Sequence, residues 1–253
     1  MATYKKRSIK NKRKGAREAQ SATAEVFKTL DKSASRTEQW VAKHQKYIFA
    51  IIGVAVLAVL GYLGYREFIQ KPRETEASNE MFFAQQYIDQ ALDNPEKDSL
   101  YRLALSGAEG KYGLLDIIEN YKGTKAANLA HYSAGMAYLR LSSYQEAIDH
   151  LQQFSSDDVM LGALAKGGIG DAFMQLNQPG EALEYYKEAF QYHENNYLTP
   201  RFLFKAGTTA MAVQRYDEAL TYFNRIKEDY PDSEEGRTVD GYIGNAEQLR
   251  QGN

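Results

Sequence analysis

The residue types that most often carry catalysis are sparse in this 253-residue chain, and their spacing forms no known constellation. The four histidines, His44, His131, His150 and His193, are scattered, and His131 and His150 fall in different helical stretches without a ligand pattern. No H-E-x-x-H, G-x-S-x-G or phosphate loop is present. There is no cysteine, which excludes thiolate catalysis, cysteine metal sites and disulfides. Gly167-Gly168-Ile169-Gly170 is rich in glycine but lies within a helical stretch, where close packing accounts for Gly170. Asp157-Asp158 reads as a solvated turn or a helix cap, not a metal site. The sequence therefore points away from an enzyme and implies no catalytic residue, no metal and no cofactor.

The clearest binding chemistry is a run of cations. Residues 5–17 carry Lys5, Lys6, Arg7, Lys10, Lys12, Arg13, Lys14 and Arg17 and no acid. Such a stretch cannot bury a core and reads as disordered on its own. It suits anionic lipid headgroups, at about 1 kcal/mol for each cation near the surface. Counterion release equally rewards contact with ribosomal RNA.

What must position this arm is an uncharged apolar run, Tyr47 to Tyr65, reading YIFAIIGVAVLAVLGYLGY. At about 1.5 Å per residue, its 19 residues make a helix close to the hydrocarbon thickness of a bilayer. Tyr47, Tyr62 and Tyr65 lie near its ends, where amphipathic rings prefer the headgroup region. Residues 1–46 hold 13 Lys/Arg against 4 Asp/Glu, a net of +9, whereas residues 66–253 hold 18 against 29, a net of −11. Positive flanks stay inside, so the amino terminus is expected in the cytoplasm and the long acidic region across the membrane. The 46 residues before the run and the lack of an A-x-A-like site after it favour a permanent signal anchor over a cleaved signal peptide.

Residues 24–45 carry Val26, Phe27, Leu30, Ala34, Trp40, Val41 and His44 at helical spacing. This reads as an amphipathic helix, either lying on the inner membrane surface with Trp40 at the interface or binding a partner. Within the span, Ala55, Ala58, Gly61 and Gly64 recur every three residues, which allows a second helix to approach but also occurs in generic spans. Pro72 is expected to end the membrane helix or to lie just beyond it.

Beyond Pro72 no alternating strand pattern occurs, and an internal repeat decides the fold. Gly135, Tyr138, Tyr144, Ala147 and Leu151 recur 35 residues later as Gly170, Phe173, Pro179, Ala182 and Tyr186. They recur again, 37 residues on, as Gly207, Ala210, Tyr216, Ala219 and Phe223. Each unit reads as a helix–turn–helix in which a small residue leaves a notch that a large one fills, and whose apolar faces are buried only by stacking on neighbours. Through G-x-x-Y/F in the first helix and Y-x-x-A-L-x-x-Y/F in the second, residues 128–231 resemble the tetratricopeptide repeat family. Together with the apolar run and the lack of a strand pattern, the resemblance implies an all-α chain: one N-terminal transmembrane helix followed by a tetratricopeptide-repeat α-solenoid. The expected layout is a basic disordered tail at 1–23, an amphipathic juxtamembrane helix at 24–46, a transmembrane helix at 47–70 and a repeat domain at 74–253. Within that domain, a degenerate repeat is expected at 78–124, with helices at 78–92 and 110–121 and a turn or short helix between. Tyr121-Lys122-Gly123-Thr124 parallels Tyr230-Pro231-Asp232-Ser233. A capping helix is expected at 234–250.

The combination of basic inside segment, single span and acidic array is similar to the YfgM-type ancillary subunits of the bacterial SecYEG translocon. So is the stretch YGLLDIIENYKGTKAANLAHYSAGMAYLRLSSYQEAIDHL, while the Lys-rich start is longer than in such relatives. The resemblance implies a single-pass protein of the bacterial inner membrane with a periplasmic repeat domain. Its implied partners are SecYEG, a PpiD-type membrane-anchored chaperone and translocating polypeptides, beside membrane lipids and, through the tail, the ribosome. A scaffold of another envelope machine, such as outer-membrane assembly, secretion or cell-wall synthesis, needs the same architecture and is the alternative.

In the tetratricopeptide family the first helix of each unit lines a concave, protein-binding face. Carried across, these positions are Leu129, Tyr132, Met136, Leu139 and Arg140; then Leu164, Gly167, Asp171, Met174 and Gln175; then Arg201, Phe204, Thr208, Met211 and Ala212. The stripe is expected to be soft, apolar and uncharged at its centre, with several members simply core. Tyr132 and Met136 stand where some members carry a basic clamp for a peptide carboxylate, which argues against recognition of acidic C-terminal tails.

Overall fold

A computed structural model describes Glu25, residues 40–92 and residues 97–252. The basic tail and most of the 24–46 segment lie outside the described residues. Two compact units divide the chain, Met1–Glu67 and Phe68–Asn253.

In the first unit, residues 40–65 are helical (α1). They belong to a helical stretch, Trp40–Leu92, long and apolar enough to cross a membrane, none of whose apolar window is buried. Trp40, Tyr47, Tyr62 and Tyr65 are all exposed on it. The Trp40 ring lies 4.8 Å from that of His44, between centroids.

Pro72 does not end this helix. A π-helical turn, Arg66–Gln70, intervenes, and α2 (Lys71–Leu92) carries the helix through the proline. Pro72 has no N–H to give the carbonyl four residues back, and its ring would crowd that carbonyl in a regular α-helix. Widening the preceding turn removes the conflict.

The second unit is an array of helical hairpins: α3 (Lys97–Ser106), α4 (Leu114–Asn120), α5 (Lys125–Arg140), α6 (Tyr144–Gln153), α7 (Val159–Gln175), α8 (Pro179–Gln191), α9 (Thr199–Ala212), α10 (Tyr216–Asp229) and α11 (Val239–Gln251). Among the described residues there is no strand, only an isolated bridge between Ala108 and Lys111. Three notches fix the hairpins. A Cβ at Gly135 would sit 2.5 Å from Leu151, and one at Gly170 would sit 2.6 Å from Tyr186. Gly207 is filled in the same way by Phe223. Ala147, Ala182 and Ala219 are fully buried in the second helices.

The three hairpin turns are also alike. Each first helix ends with a residue at positive φ: Ser142 at 60°, Asn177 at 57° and Gln214 at 62°. The next N–H then reaches back five residues: Ser143 to Tyr138 O at 3.0 Å, Gln178 to Phe173 O at 2.9 Å, and Arg215 to Ala210 O at 2.8 Å. This left-handed closure satisfies a terminal carbonyl that the helix itself cannot.

The region before α5 differs from the expected helix pair. The partner packed along α2 is α3, which buries Tyr101, Ala104 and Leu105. The expected helix at 110–121 shrinks to α4, because Gly107 (φ 74°) and Gly110 (φ 73°) spend residues 107–113 on a tight reversal. The parallel between Thr124 and Ser233 is structural. Each hydroxyl donates to the carbonyl three residues back (Tyr121 or Tyr230, both 2.8 Å) and accepts from the N–H three residues on. The Ser233 turn occupies the chain until Val239, so α11 starts later than position 234. At the amino end of α5, the Glu74 carboxylate accepts the N–H groups of Lys125 (2.7 Å) and Ala126 (2.9 Å). That places a negative charge where a helix terminus favours one, and ties α2 to the repeats.

Candidate protein-binding groove

The first helices α5, α7 and α9 present one side of the array, and a groove of about 620 Å³ runs across them. Eight of the family-derived positions meet here: Met136, Leu139 and Arg140 from α5, Asp171, Met174 and Gln175 from α7, and Arg201 and Thr208 from α9. Tyr144 and Tyr186 from the second helices join them, as do Lys205 and Thr209 from α9.

The other seven, Leu129, Tyr132, Leu164, Gly167, Phe204, Met211 and Ala212, do not line it. Leu129 lines a separate apolar depression with Met81, Phe82 and Ala126. The Tyr132 ring packs on Phe154, with centroids 5.1 Å apart. Phe204 turns toward α11, its ring 4.6 Å from that of Tyr242. Met211 packs against the core of the last two repeats. Tyr132 and Phe204 belong to the repeat pattern, but their rings turn into neighbouring aromatic contacts, where they bury apolar surface.

The groove centre is not uncharged. Lys205 Nζ contacts Asp171 Oδ1 at 2.5 Å and Oδ2 at 2.8 Å. The Tyr186 hydroxyl donates to the same Oδ1 at 2.7 Å. Burial, reinforced by the Asp171 charge and the hydrogen bond to it, pushes the Tyr186 phenol far up, so it stays a donor at any physiological pH. The Lys205 ammonium also sits 5.5 Å from the Tyr186 ring centroid. Arg140 and Arg201 are exposed at the groove and have no hydrogen-bond or ion-pair partner among the described residues. The groove therefore sums to three cations against one carboxylate, within a region of net −11. Lys205 lies one turn beyond Arg201, outside the positions carried across from the family. Only the packing of α9 against α7 puts it beside Asp171.

Other residues read from the sequence resolve into structural roles. The run Gly167-Gly168-Ile169-Gly170 lies in α7, where a Cβ at Gly167 would enter the Phe202 ring and one at Gly168 would come within 3.1 Å of Leu151. Asp158 caps α7, with Oδ1 accepting from Met160 N at 2.8 Å and Leu161 N at 2.9 Å. Those two N–H bonds hold its carboxyl below the usual range. The histidines are not all scattered. His131 and His150 meet at 3.2 Å between Nδ1 atoms, with Tyr138 stacked on His150 at 5.4 Å. Their separation by 19 positions across a hairpin hides this pair from sequence. Among the described residues no group of three metal-ligating side chains forms. The eight cations of the tail lie outside the described residues.

The family profile described as a tetratricopeptide repeat matches residues 168–234, the part of the chain that contains α8, α9 and α10 and the groove residues of α7 and α9. No curated protein matches the chain in sequence.

Proposed function

We propose that this chain is a membrane-anchored scaffold that docks a protein partner in the groove across α5, α7 and α9. The fold is an all-α tetratricopeptide-repeat solenoid following a helix long enough to span a bilayer, and such repeats serve protein–protein interaction. The observation that carries the reading is that three consecutive repeats contribute to one groove. It holds adaptable methionines, Met136 and Met174, beside free guanidiniums.

In this reading the charge asymmetry, +9 before the span and −11 after it, sets the topology with the repeats in the periplasm. The basic tail rests on anionic lipid or on the ribosome. By resemblance to YfgM-type subunits, the anchor sits beside SecYEG. The groove then serves a PpiD-type chaperone or emerging polypeptides. The chain works by binding, without a chemical step.

The test is affinity purification of the full chain from bacterial membranes in mild detergent, beside a Gln175→Trp, Thr208→Trp variant that fills the groove. Loss of far-side partners with retention in the membrane and of any channel contact is the expected result. Capture of every partner at wild-type levels by the filled groove would move the working surface elsewhere. Recovery of a different envelope complex, without SecYEG, would remove the translocon assignment and leave the scaffold.

A further inference from the structure

We propose that the groove reads an extended peptide segment through two carboxylates, met by Arg140 and Arg201, and that Asp171 is an internal competitor that withholds Lys205 from the ligand. This rests on the groove being the docking surface.

Three observations carry it. First, Arg140 on α5 and Arg201 on α9 face one groove without any anionic partner among the described residues. Exposed guanidiniums on a region of net −11 can be satisfied locally, as Arg215 is by Glu218 at 3.5 Å and Arg250 by Asp217 at 3.3 Å. Arg102 and Arg237 are also unpaired among the described residues, but only Arg140 and Arg201 face one groove. Second, the one groove cation that is paired shows which ligand the site accepts. Asp171 gives Lys205 a two-oxygen carboxylate contact, and the Tyr186 hydroxyl holds that carboxylate from the other side. Third, the walls between the cations are Met136, Leu139, Met174 and Tyr144, with Gln175 and Thr208 to hydrogen-bond a backbone. Such walls suit a peptide. A polyanion such as nucleic acid would meet repulsion from the acidic region around the groove.

The spacing follows from the array. Arg140 and Arg201 stand on first helices two places apart. Packed helices lie about 8–10 Å axis to axis, so roughly 16–20 Å separates the two rows. Extended chain rises about 3.3 Å per residue. In the repeat register Arg201 takes the place of Leu129, so Arg140 also stands 11 positions farther along its helix, roughly 16 Å at about 1.5 Å per residue. Combined with the lateral offset, the two positions lie about 23–26 Å apart, and the two acidic side chains about seven or eight residues apart.

The experiment places a photocrosslinking residue at exposed Gln175 in the full chain, in intact membranes, and sequences the captured peptides. Captured segments should carry paired Asp or Glu at the predicted spacing. Arg140→Gln with Arg201→Gln, both exposed and unpartnered, should cut the yield about tenfold, the size expected for losing charge-assisted contacts. Asp171→Asn frees Lys205 and should raise the yield several-fold. Asp171→Asn with Lys205→Gln leaves the groove charge unchanged and should return it to near wild type. Thermal melts confirm that each variant is folded, and the arginine arm stands even if Asp171→Asn is not.

Neutral or basic captures indifferent to the arginine change would overturn this proposal while leaving the groove as a docking surface. Nuclease-sensitive captures would overturn it in favour of nucleic acid. No capture at Gln175, with efficient capture from a residue at Phe82, would overturn both readings.

Discussion

Gly170→Ala tests whether the repeat notches hold the array together. On helix propensity alone the change stabilises, by up to about 1 kcal/mol. The structure reverses that sign. An added Cβ would lie 2.6 Å from Tyr186 Cε1 and 2.8 Å from Cδ1, about 0.8 Å short of an ordinary 3.4 Å contact. Tyr186 is 3 % exposed, so its ring has nowhere to swing. Its hydroxyl is also held 2.7 Å from Asp171, and a ring shift of that size breaks the bond. Overpacking of a tight core costs about 1–3 kcal/mol, and a lost hydrogen bond adds about 1 kcal/mol. After the propensity gain, a net loss of about 1–3 kcal/mol remains. For a unit of this size that corresponds to roughly 3–10 °C in Tm. The assay is a thermal melt of residues 68–253, the compact unit that contains all three apolar clusters. Gly180→Ala is the control, since nothing lies within 4 Å of its Cβ position and it sits in the first turn of α8. It should leave Tm unchanged or raise it slightly. A Gly170→Ala melt equal to wild type, or moving with the control, would refute the notch argument.

Ala182→Leu should likewise cost about 1–3 kcal/mol, because Ala182 is fully buried at the same crossing, and denaturant titration of residues 68–253 reads it directly. The His131–His150 pair makes stability depend on pH. Burial lowers both imidazoles, with the neighbouring His150 charge adding at His131 and Asp149 opposing at His150. The folded state thus binds fewer protons than the unfolded one. The pair's contribution is intact above about pH 6.5 and is lost as pH falls from there; urea midpoints at pH 7.5 and 5.5 should differ, and His131→Asn should flatten the difference. Protease added to intact spheroplasts should degrade the repeats and spare residues 1–46. A protected carboxyl-terminal region would overturn the signal-anchor topology.

The chain's own pattern determined its class. An apolar run of bilayer length needs no tertiary context to be recognised, since length and lack of charge are properties of one segment. The Gly135–Leu151, Gly170–Tyr186 and Gly207–Phe223 notches were legible because each joins two positions sixteen residues apart inside one repeated unit. Hairpin closure was less so: Ser142 and Gln214 adopt positive φ with no glycine to announce it, because the packed second helix compels the turn. The passage of the helix through Pro72 also escaped a local rule, since a widened turn absorbed the proline. The groove needed the assembled array most. Its eight converging positions follow the repeat register. Its charge does not, because Lys205 reaches Asp171 from the next repeat, 34 positions away. The diversion of Tyr132 and Phe204 into neighbouring clusters was equally hidden, whereas a core place for Met211 was among the readings its apolar type allowed. Sequence periodicity fixes which face of a helix a residue occupies. Which neighbour its side chain then meets depends on distances between helices, and only the stacked repeats set those.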